Sequence, residues 1–116
     1  MIRHAFTAIA LLALSVISPH LTAAPEWVSG TVERLLLHNE LYGKCMILVR
    51  SSLPSNGCPG VWISLDCEGN HLSKQDAGRM WDSVQLAYAL DKTLDIYLDD
   101  SRKNNGYCVA SRLDVR

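Results

Sequence analysis

Alternating apolar and polar residues predict five β-strands in this chain, because successive side chains of a strand point to opposite faces. The clearest alternation is in the third strand, where Val61, Ile63 and Leu65 share one face and Trp62 lies on the other. The first strand is longer and less regular, with Gly30 as a candidate bulge or bend. The predicted strands are Trp27–His38, Cys45–Arg50, Val61–Cys67, Leu94–Asp99 and Tyr107–Val115.

A single helix, at about residues 73–90, is predicted between the third and fourth strands. Ser73 and Asp76 have the Ser-x-x-Asp spacing of a capping pattern. Apolar residues then recur at spacings of three and four, which predicts a core-facing stripe. Leu86 and Leu90 lie outside the stripe and are candidates for a second buried edge or a subunit contact. The stripe contains Ala77, Met80, Trp81, Val84, Ala87 and Tyr88.

The order of elements, three strands, one helix and two strands (βββαββ), is the order of an OB-fold. This fold is a five-stranded closed barrel, here mainly β with its helix between strands three and four. The alternative is an open α+β sheet with the helix on one face. The most polar stretch, Leu98–Gly106, is interpreted as a solvated turn between strands four and five; it borders the usual OB binding face, so ligand contact is the other interpretation.

The first 24 residues have the layout of a secretory signal peptide. Arg3 provides a positive charge, and the apolar run Ala5–Ile17 is shorter than the roughly 20 residues that cross a bilayer. A small-residue cleavage region follows, and the first cysteine, Cys45, is too distant from it to be lipidated. We therefore expect a signal peptide at 1–24 and one secreted or periplasmic OB-fold domain at 25–116, with no membrane span.

All four cysteines lie after residue 24, and an even number in an exported chain predicts disulfides. Strands two and three of an OB barrel form an antiparallel hairpin, which places Cys45 beside Cys67. Strand five runs parallel to strand three, which brings Cys108 to the loop that contains Cys58. Of three possible connectivities, the barrel therefore selects Cys45 with Cys67 and Cys58 with Cys108.

Signatures of catalysis are scarce. No Gly-x-Ser-x-Gly, His-Glu-x-x-His or phosphate-binding glycine loop occurs. His38 and His71 stand at no motif spacing to a nucleophile and are interpreted as surface histidines, and the cysteines lack the short pairs of zinc sites. The net charge of −1 gives no electrostatic footprint for nucleic acid. We predict no enzyme activity, no metal, no cofactor and no nucleic-acid partner.

Several segments together carry a resemblance to a known family. They are Glu26-Trp27 after the signal, Ser29 on the first strand, Cys45-Met46-Ile47-Leu48-Val49 followed by a loop and Cys67, and Gln85-Leu86-Ala87-Tyr88 leading into Leu94-Asp95-Ile96. In these the sequence resembles the B subunits of subtilase-cytotoxin and pertussis-like AB5 toxins, which are exported OB-fold domains of about this size.

The resemblance implies a homopentamer with its helices towards the central axis, an exported catalytic subunit as partner, and a pocket for sialylated glycans on the side of the barrel. In that family a first-strand serine binds the sialic acid carboxylate and a tyrosine near the helix end shapes the pocket; by position these are Ser29 and Tyr88. The predicted function is thus a non-enzymatic module that binds a glycan or a protein. The alternative is a periplasmic or secreted structural or inhibitor-type interaction protein without a sugar pocket.

Overall fold

The computed structural model describes residues 15, 26–51, 58 and 62–116 of the 116-residue chain. The predicted signal peptide lies outside the described residues except for Ser15, and Val61 lies outside them as well. The elements are β1 (Glu26–Leu37), a 3-10 turn (Tyr42–Lys44), β2 (Cys45–Arg50), β3 (Trp62–Ser64), α1 (Lys74–Leu90), β4 (Thr93–Asn104) and β5 (Tyr107–Val115).

The strands close into a barrel in the order β1-β2-β3-β5-β4. The first half of β1 pairs with β4 and the second half pairs with β2, so this one strand joins the two sides. All pairings are antiparallel except that of β3 with β5. The predicted fold class, a mainly β, five-stranded OB-like barrel with one helix, is confirmed, and the open sheet is excluded because β1 and β4, the two ends of this order, pair with each other.

The interior of the barrel is apolar and is covered at one side by α1. Val84 and Ala87 of the helix share one buried core with the inward residues of the strands, and Ala77 is buried as well. Met80 and Trp81 are partly buried against the same core. The helix begins as predicted, because the Ser73 hydroxyl accepts a hydrogen bond from the Asp76 N–H at 3.1 Å.

Part of the predicted helix stripe is not in the core. Tyr88 is 49% exposed, because it lies at the edge of the stripe in the last turn of α1. Leu86 and Leu90 are 60% and 57% exposed, so they do not form a second buried edge within this chain. The helix therefore presents three large side chains to solvent near its C-terminal end.

The pairing of β1 with β2 places the predicted bulge elsewhere than at Gly30. Their register shifts between Val32 and Arg34, so the irregularity lies beyond Gly30. A Cβ at Gly30 would lie only 2.6 Å from the backbone oxygen of Arg50 and 2.6 Å from Cγ1 of Val49. Glycine is required there because β1 passes close to β2, and not because the strand bulges.

Two predicted boundaries are also corrected. Strand β3 ends at Ser64, since Asp66, with φ 57°, turns the chain before Cys67. Strand β4 continues to Asn104 and pairs with β5 again at its end, beyond an irregularity between Asp99 and Lys103. The interpretation of Leu98–Gly106 as a solvated turn is therefore wrong. Most of this stretch extends the β4–β5 hairpin, and only Asn105 and Gly106 form its turn.

Both predicted disulfides are present. Cys45 is bonded to Cys67 and Cys58 to Cys108. The first links the start of β2 to the chain just after β3, and the second ties the start of β5 to residue 58. The connectivity selected from the barrel topology is confirmed.

Candidate functional site

A groove of about 170 Å³ lies on the outer surface of the barrel, between the β1–β2 connection and the β4–β5 hairpin. Its lining is largely aromatic, and four of its five residues are half-buried while Met46 is buried. The lining residues are Leu36, Tyr42, Met46, Trp62 and Tyr107. Each comes from a different element, so the closed barrel is what brings them together.

Strand register explains the floor of the groove. Leu36 of β1 pairs with Met46 of β2, which in turn pairs with Ser64 of β3. Paired residues of adjacent strands share a face. The two neighbours of Met46 along β2, Cys45 and Ile47, belong to the core. Met46 is therefore buried by the groove walls and not by the barrel interior.

Three rings stand in sequence along one wall. Tyr42 and Tyr107 meet edge to face with ring centroids 5.6 Å apart. His38 meets the Tyr42 ring in the same geometry at 5.7 Å. Tilted aromatic pairs at these separations are favourable and fix the orientation of the rings. The position of Tyr42 thus decides the shape of the groove.

The backbone that delivers Tyr42 is in an uncommon conformation. Tyr42, Gly43 and Lys44 have φ values of 61°, 68° and 72°, all in the left-handed region. For residues other than glycine this costs about 1–2 kcal/mol each, so surrounding contacts must hold the turn. The Tyr42 N–H donates to Oδ1 of Asn105 at 2.7 Å, and the Tyr42 carbonyl accepts from the Ser64 hydroxyl at 2.8 Å.

Beneath this turn lies a buried polar network centred on Asp66, which is fully buried. Its carboxylate accepts hydrogen bonds from the backbone N–H groups of Asn70, His71 and Leu72 at 3.1, 2.7 and 2.7 Å. It also accepts from the Asn104 side-chain amide at 2.9 Å, and the same amide donates to Ser64 Oγ. Among the described residues no buried side-chain nitrogen or oxygen lacks a hydrogen-bond partner.

The network keeps Asp66 ionised. Burial on its own would raise the pKa of this carboxyl, but the hydrogen bonds from Leu72, Asn104, His71 and Asn70 outweigh that effect and lower the pKa below its ordinary value. The charge is therefore stabilised by N–H donors, with no ion pair to it among the described residues, in a position that ties the β3–α1 connection to the end of the β4–β5 hairpin.

Ser29 and Tyr88, the two residues indicated by the family resemblance, lie elsewhere. The Ser29 hydroxyl donates to the carboxylate of Asp95 on the adjacent strand β4. That bond, together with the Arg116 guanidinium, holds the pKa of Asp95 below its ordinary value. Tyr88 is on α1, and no hydrogen bond or ring contact within the described residues joins it to Ser29. The structure does not bring these two residues into one site with the groove.

A second aromatic cluster lies near Ser29 on the outer face of β1, β4 and β5. The rings of Trp27 and Tyr97 are 5.2 Å apart, and the Arg112 guanidinium lies 5.1 Å above the Trp27 ring. Arg112 also donates two hydrogen bonds to Asp114, at 3.1 and 3.0 Å. These side chains are engaged with one another, yet Trp27 stays 49% exposed, so the cluster is a second aromatic surface, distinct from the groove.

No match was found among family models, curated proteins or solved structures. Within the residues that the structure describes, no group of three or more His, Cys, Asp or Glu side chains could hold a metal ion. No helix in the same residues is long and apolar enough to span a membrane.

Sequence reasoning missed the groove residues Tyr42, Trp62 and Tyr107. One signal was available: the alternation of the third strand placed Trp62 on the outer face, where a large aromatic side chain indicates either a covered surface or a binding surface. Tyr42 gave no such signal, because its place in the groove depends on a left-handed turn held by Ser64 and Asn105. Nothing in the local sequence specifies those contacts.

Proposed function

We propose that this chain is an exported binding module that holds a saccharide in the aromatic groove. The observation that carries the proposal is the lining itself: Tyr42, Trp62 and Tyr107 surround one opening on the barrel surface. The groove lies between the connections that flank the β2–β3 face, which is where OB barrels bind oligosaccharides and oligonucleotides. The net charge of −1 favours the saccharide, because nucleic-acid binding depends on a basic surface.

The chemistry of the lining suits a sugar. Aromatic rings offer flat apolar faces for the C–H faces of a pyranose, and the polar tips of tyrosine and tryptophan can hydrogen-bond its hydroxyl groups. The volume, about 170 Å³, is below the roughly 300–1,000 Å³ of pockets that enclose a drug-sized ligand. The groove would therefore take one sugar unit, and the rest of a longer glycan would run along the surface.

The resemblance to AB5 B subunits adds a finer proposal, in which the barrels form a homopentamer beside an exported catalytic subunit. The support for a protein-facing surface is the exposure of Leu86, Tyr88 and Leu90 on α1. Light scattering on the purified protein tests the pentamer. A monomer would contradict the ring while leaving the groove unaffected; a pentamer should dissociate in a Leu86→Glu, Leu90→Glu variant.

A glycan array with the wild-type protein and three variants tests the saccharide site. Trp62→Ala removes the largest ring of the groove, and Ser29→Ala removes the hydroxyl indicated by the family resemblance. Arg79→Ala, on the exposed side of α1, is the surface control. We expect the glycans retained by the wild type to be lost with Trp62→Ala and kept with the other two variants.

The array also separates the competing proposals. Loss of binding with Ser29→Ala but not with Trp62→Ala would contradict the groove and support the sialic acid site implied by the resemblance. If the wild-type protein retains no glycan at all, saccharide binding is contradicted, and the alternative of a structural or inhibitor-type interaction protein is favoured.

A further inference from the structure

The imidazole of His38 closes the loop that delivers Tyr42 to the groove. Its Nδ1 accepts hydrogen bonds from the N–H groups of Glu40 at 3.0 Å and Leu41 at 2.9 Å. The His38 N–H in turn donates to the carbonyl of Lys44 at 2.9 Å. His38 therefore organises the turn through both its side chain and its backbone, and its ring also contacts the Tyr42 ring.

These two bonds require the neutral form of His38. A ring nitrogen that accepts carries no proton, so we assign the proton of this imidazole to Nε2. In the imidazolium form both ring nitrogens are donors. Nδ1–H would then point at two backbone N–H groups, and both hydrogen bonds would be lost.

We propose that His38 makes the groove pH-sensitive, with the neutral imidazole holding the Tyr42 turn in place and the protonated form releasing it. The proposal rests on the proposed function in so far as the groove binds a saccharide. The left-handed φ values of Tyr42 and Lys44 are unfavourable and persist only while surrounding contacts hold the turn. Loss of the His38 hydrogen bonds should therefore allow the turn to open.

The other charged and titratable groups around this loop do not mimic the effect. No ion pair within residues 26–51 and 62–116 joins His38 to a carboxylate. Asp66, below the turn, stays ionised in mild acid because its hydrogen bonds lower its pKa. The adjoining ends of β1 and β2, Leu36–Leu37 and Cys45–Met46, carry no charge. The groups that face the loop are Glu40, Tyr42 and Lys44 on the loop itself, Tyr107 at the start of β5, and Glu68, whose backbone N–H donates to the Gly43 carbonyl at 2.9 Å.

Replacing His38 by asparagine keeps a hydrogen-bond acceptor at this position but removes the group that can gain a charge. The side-chain oxygen of asparagine readily accepts from the N–H two or three residues on, as in an Asx turn, and does not titrate. His38→Asn should therefore keep the turn closed at every pH. His38→Ala removes the acceptor and should leave the turn open at every pH. His71→Asn is the matched control, since His71 is the other histidine after residue 24 and its Nε2 is hydrogen-bonded to the Lys103 carbonyl, 2.9 Å away, and not to the 38–44 loop.

The test is NMR of the purified, disulfide-bonded protein without ligand, so that it does not depend on saccharide binding. Amide protection factors, which correct for the intrinsic pH dependence of exchange, are measured for Glu40 and Leu41 from about pH 7.5 to about pH 5, where histidines gain a proton. We expect protection to fall by about tenfold in the wild type and in His71→Asn, as two weak hydrogen bonds are lost. In His38→Asn it should stay constant.

If the His38 ring gains its proton while the Glu40 and Leu41 amides keep their protection, the proposal is overturned. It is equally overturned if His38→Asn loses protection as the wild type does. A second arm repeats the glycan array at both pH values and expects retention to weaken in acid for the wild type but not for His38→Asn. An array without any binding refutes the saccharide function alone, because the NMR result stands without it.

Discussion

Replacing Asp66 by asparagine should lower the free energy of unfolding by about 2–4 kcal/mol. Each oxygen of the buried carboxylate accepts two hydrogen bonds. Oδ1 accepts from the Asn70 backbone at 3.1 Å and the Asn104 side chain at 2.9 Å, and Oδ2 accepts from the His71 and Leu72 backbones at 2.7 Å each. These four donors come from two separate segments, and the carboxylate is what joins them.

The Asp66→Asn substitution replaces one acceptor oxygen of the carboxylate by an NH₂ group and removes the negative charge, and it changes little else. Asparagine has the size of aspartate and tolerates the left-handed φ of 57° at position 66, which alanine would not. Whichever way its amide group turns, two of the four N–H donors then face an NH₂ group. A buried donor without an acceptor costs about 1–3 kcal/mol, and two at the lower part of that range give about 2–4 kcal/mol. That is a large share of the roughly 5–15 kcal/mol of a typical domain.

Denaturant unfolding of the disulfide-bonded protein at neutral pH, followed by tryptophan fluorescence, measures the difference. Asp82→Asn, on the exposed side of α1, makes the same chemical change at the surface and should stay within about 0.5 kcal/mol of the wild type. An Asp66→Asn protein as stable as Asp82→Asn would refute the reasoning, because it would show that the four donors do not depend on the carboxylate.

The same pair of proteins has an expected pH dependence. Because the folded state lowers the pKa of Asp66, the carboxylate stabilises the fold above the ordinary aspartate pKa of about 3.9 and loses this effect as the pH falls below it. The gap between the wild type and Asp66→Asn should therefore be full at neutral pH and shrink below about pH 4. A gap that stays constant down to about pH 2 would contradict this assignment.

Two further predictions concern the backbone and the disulfides. Gly43→Ala should destabilise the protein by about 2–3 kcal/mol in the same unfolding assay, because φ is 68° and the new Cβ would lie 2.4 Å from Nδ2 of Asn104; Gly106→Ala, with φ 86° but open space, should cost only about 1 kcal/mol. Replacing Cys58 and Cys108 by serine should cost about 4 kcal/mol, the loop-closure value for a sequence separation of 50, and a midpoint unchanged in denaturant would contradict it.

The barrel and its disulfides could be predicted from the sequence because the alternation of apolar and polar residues identifies the strands. The order of the strands then determines which distant segments lie side by side. Alternation along Val61–Cys67 identifies a strand with one buried face, and the count of strands around one helix leaves few topologies. Once the topology is chosen, the strand directions place Cys45 near Cys67 without further information. The predicted connectivity matches the structure.

The end of β4 and the buried polar network around Asp66 could not be predicted in the same way. Asp99–Asn104 shows no alternation of apolar and polar residues, because the successive residues Ser101, Arg102 and Lys103 are all exposed, so its strand character is not visible in the sequence. Ser64 and Asp66 alternate with the core residues Ile63 and Leu65, a pattern that predicts the outer face for both. They are nevertheless buried, since the turn at Gly43 and the distant Asn104 cover them.

The same network connects stability to the proposed site. Tyr42 is held by Ser64 from β3 and by Asn105 from the hairpin turn, and Asn104 links both segments to Asp66. Asp66 lines no part of the groove, yet its replacement frees the two segments that hold Tyr42. Asp66→Asn should therefore weaken saccharide retention together with stability, whereas Trp62→Ala should weaken retention more than stability, because its ring is half-buried on the outer face.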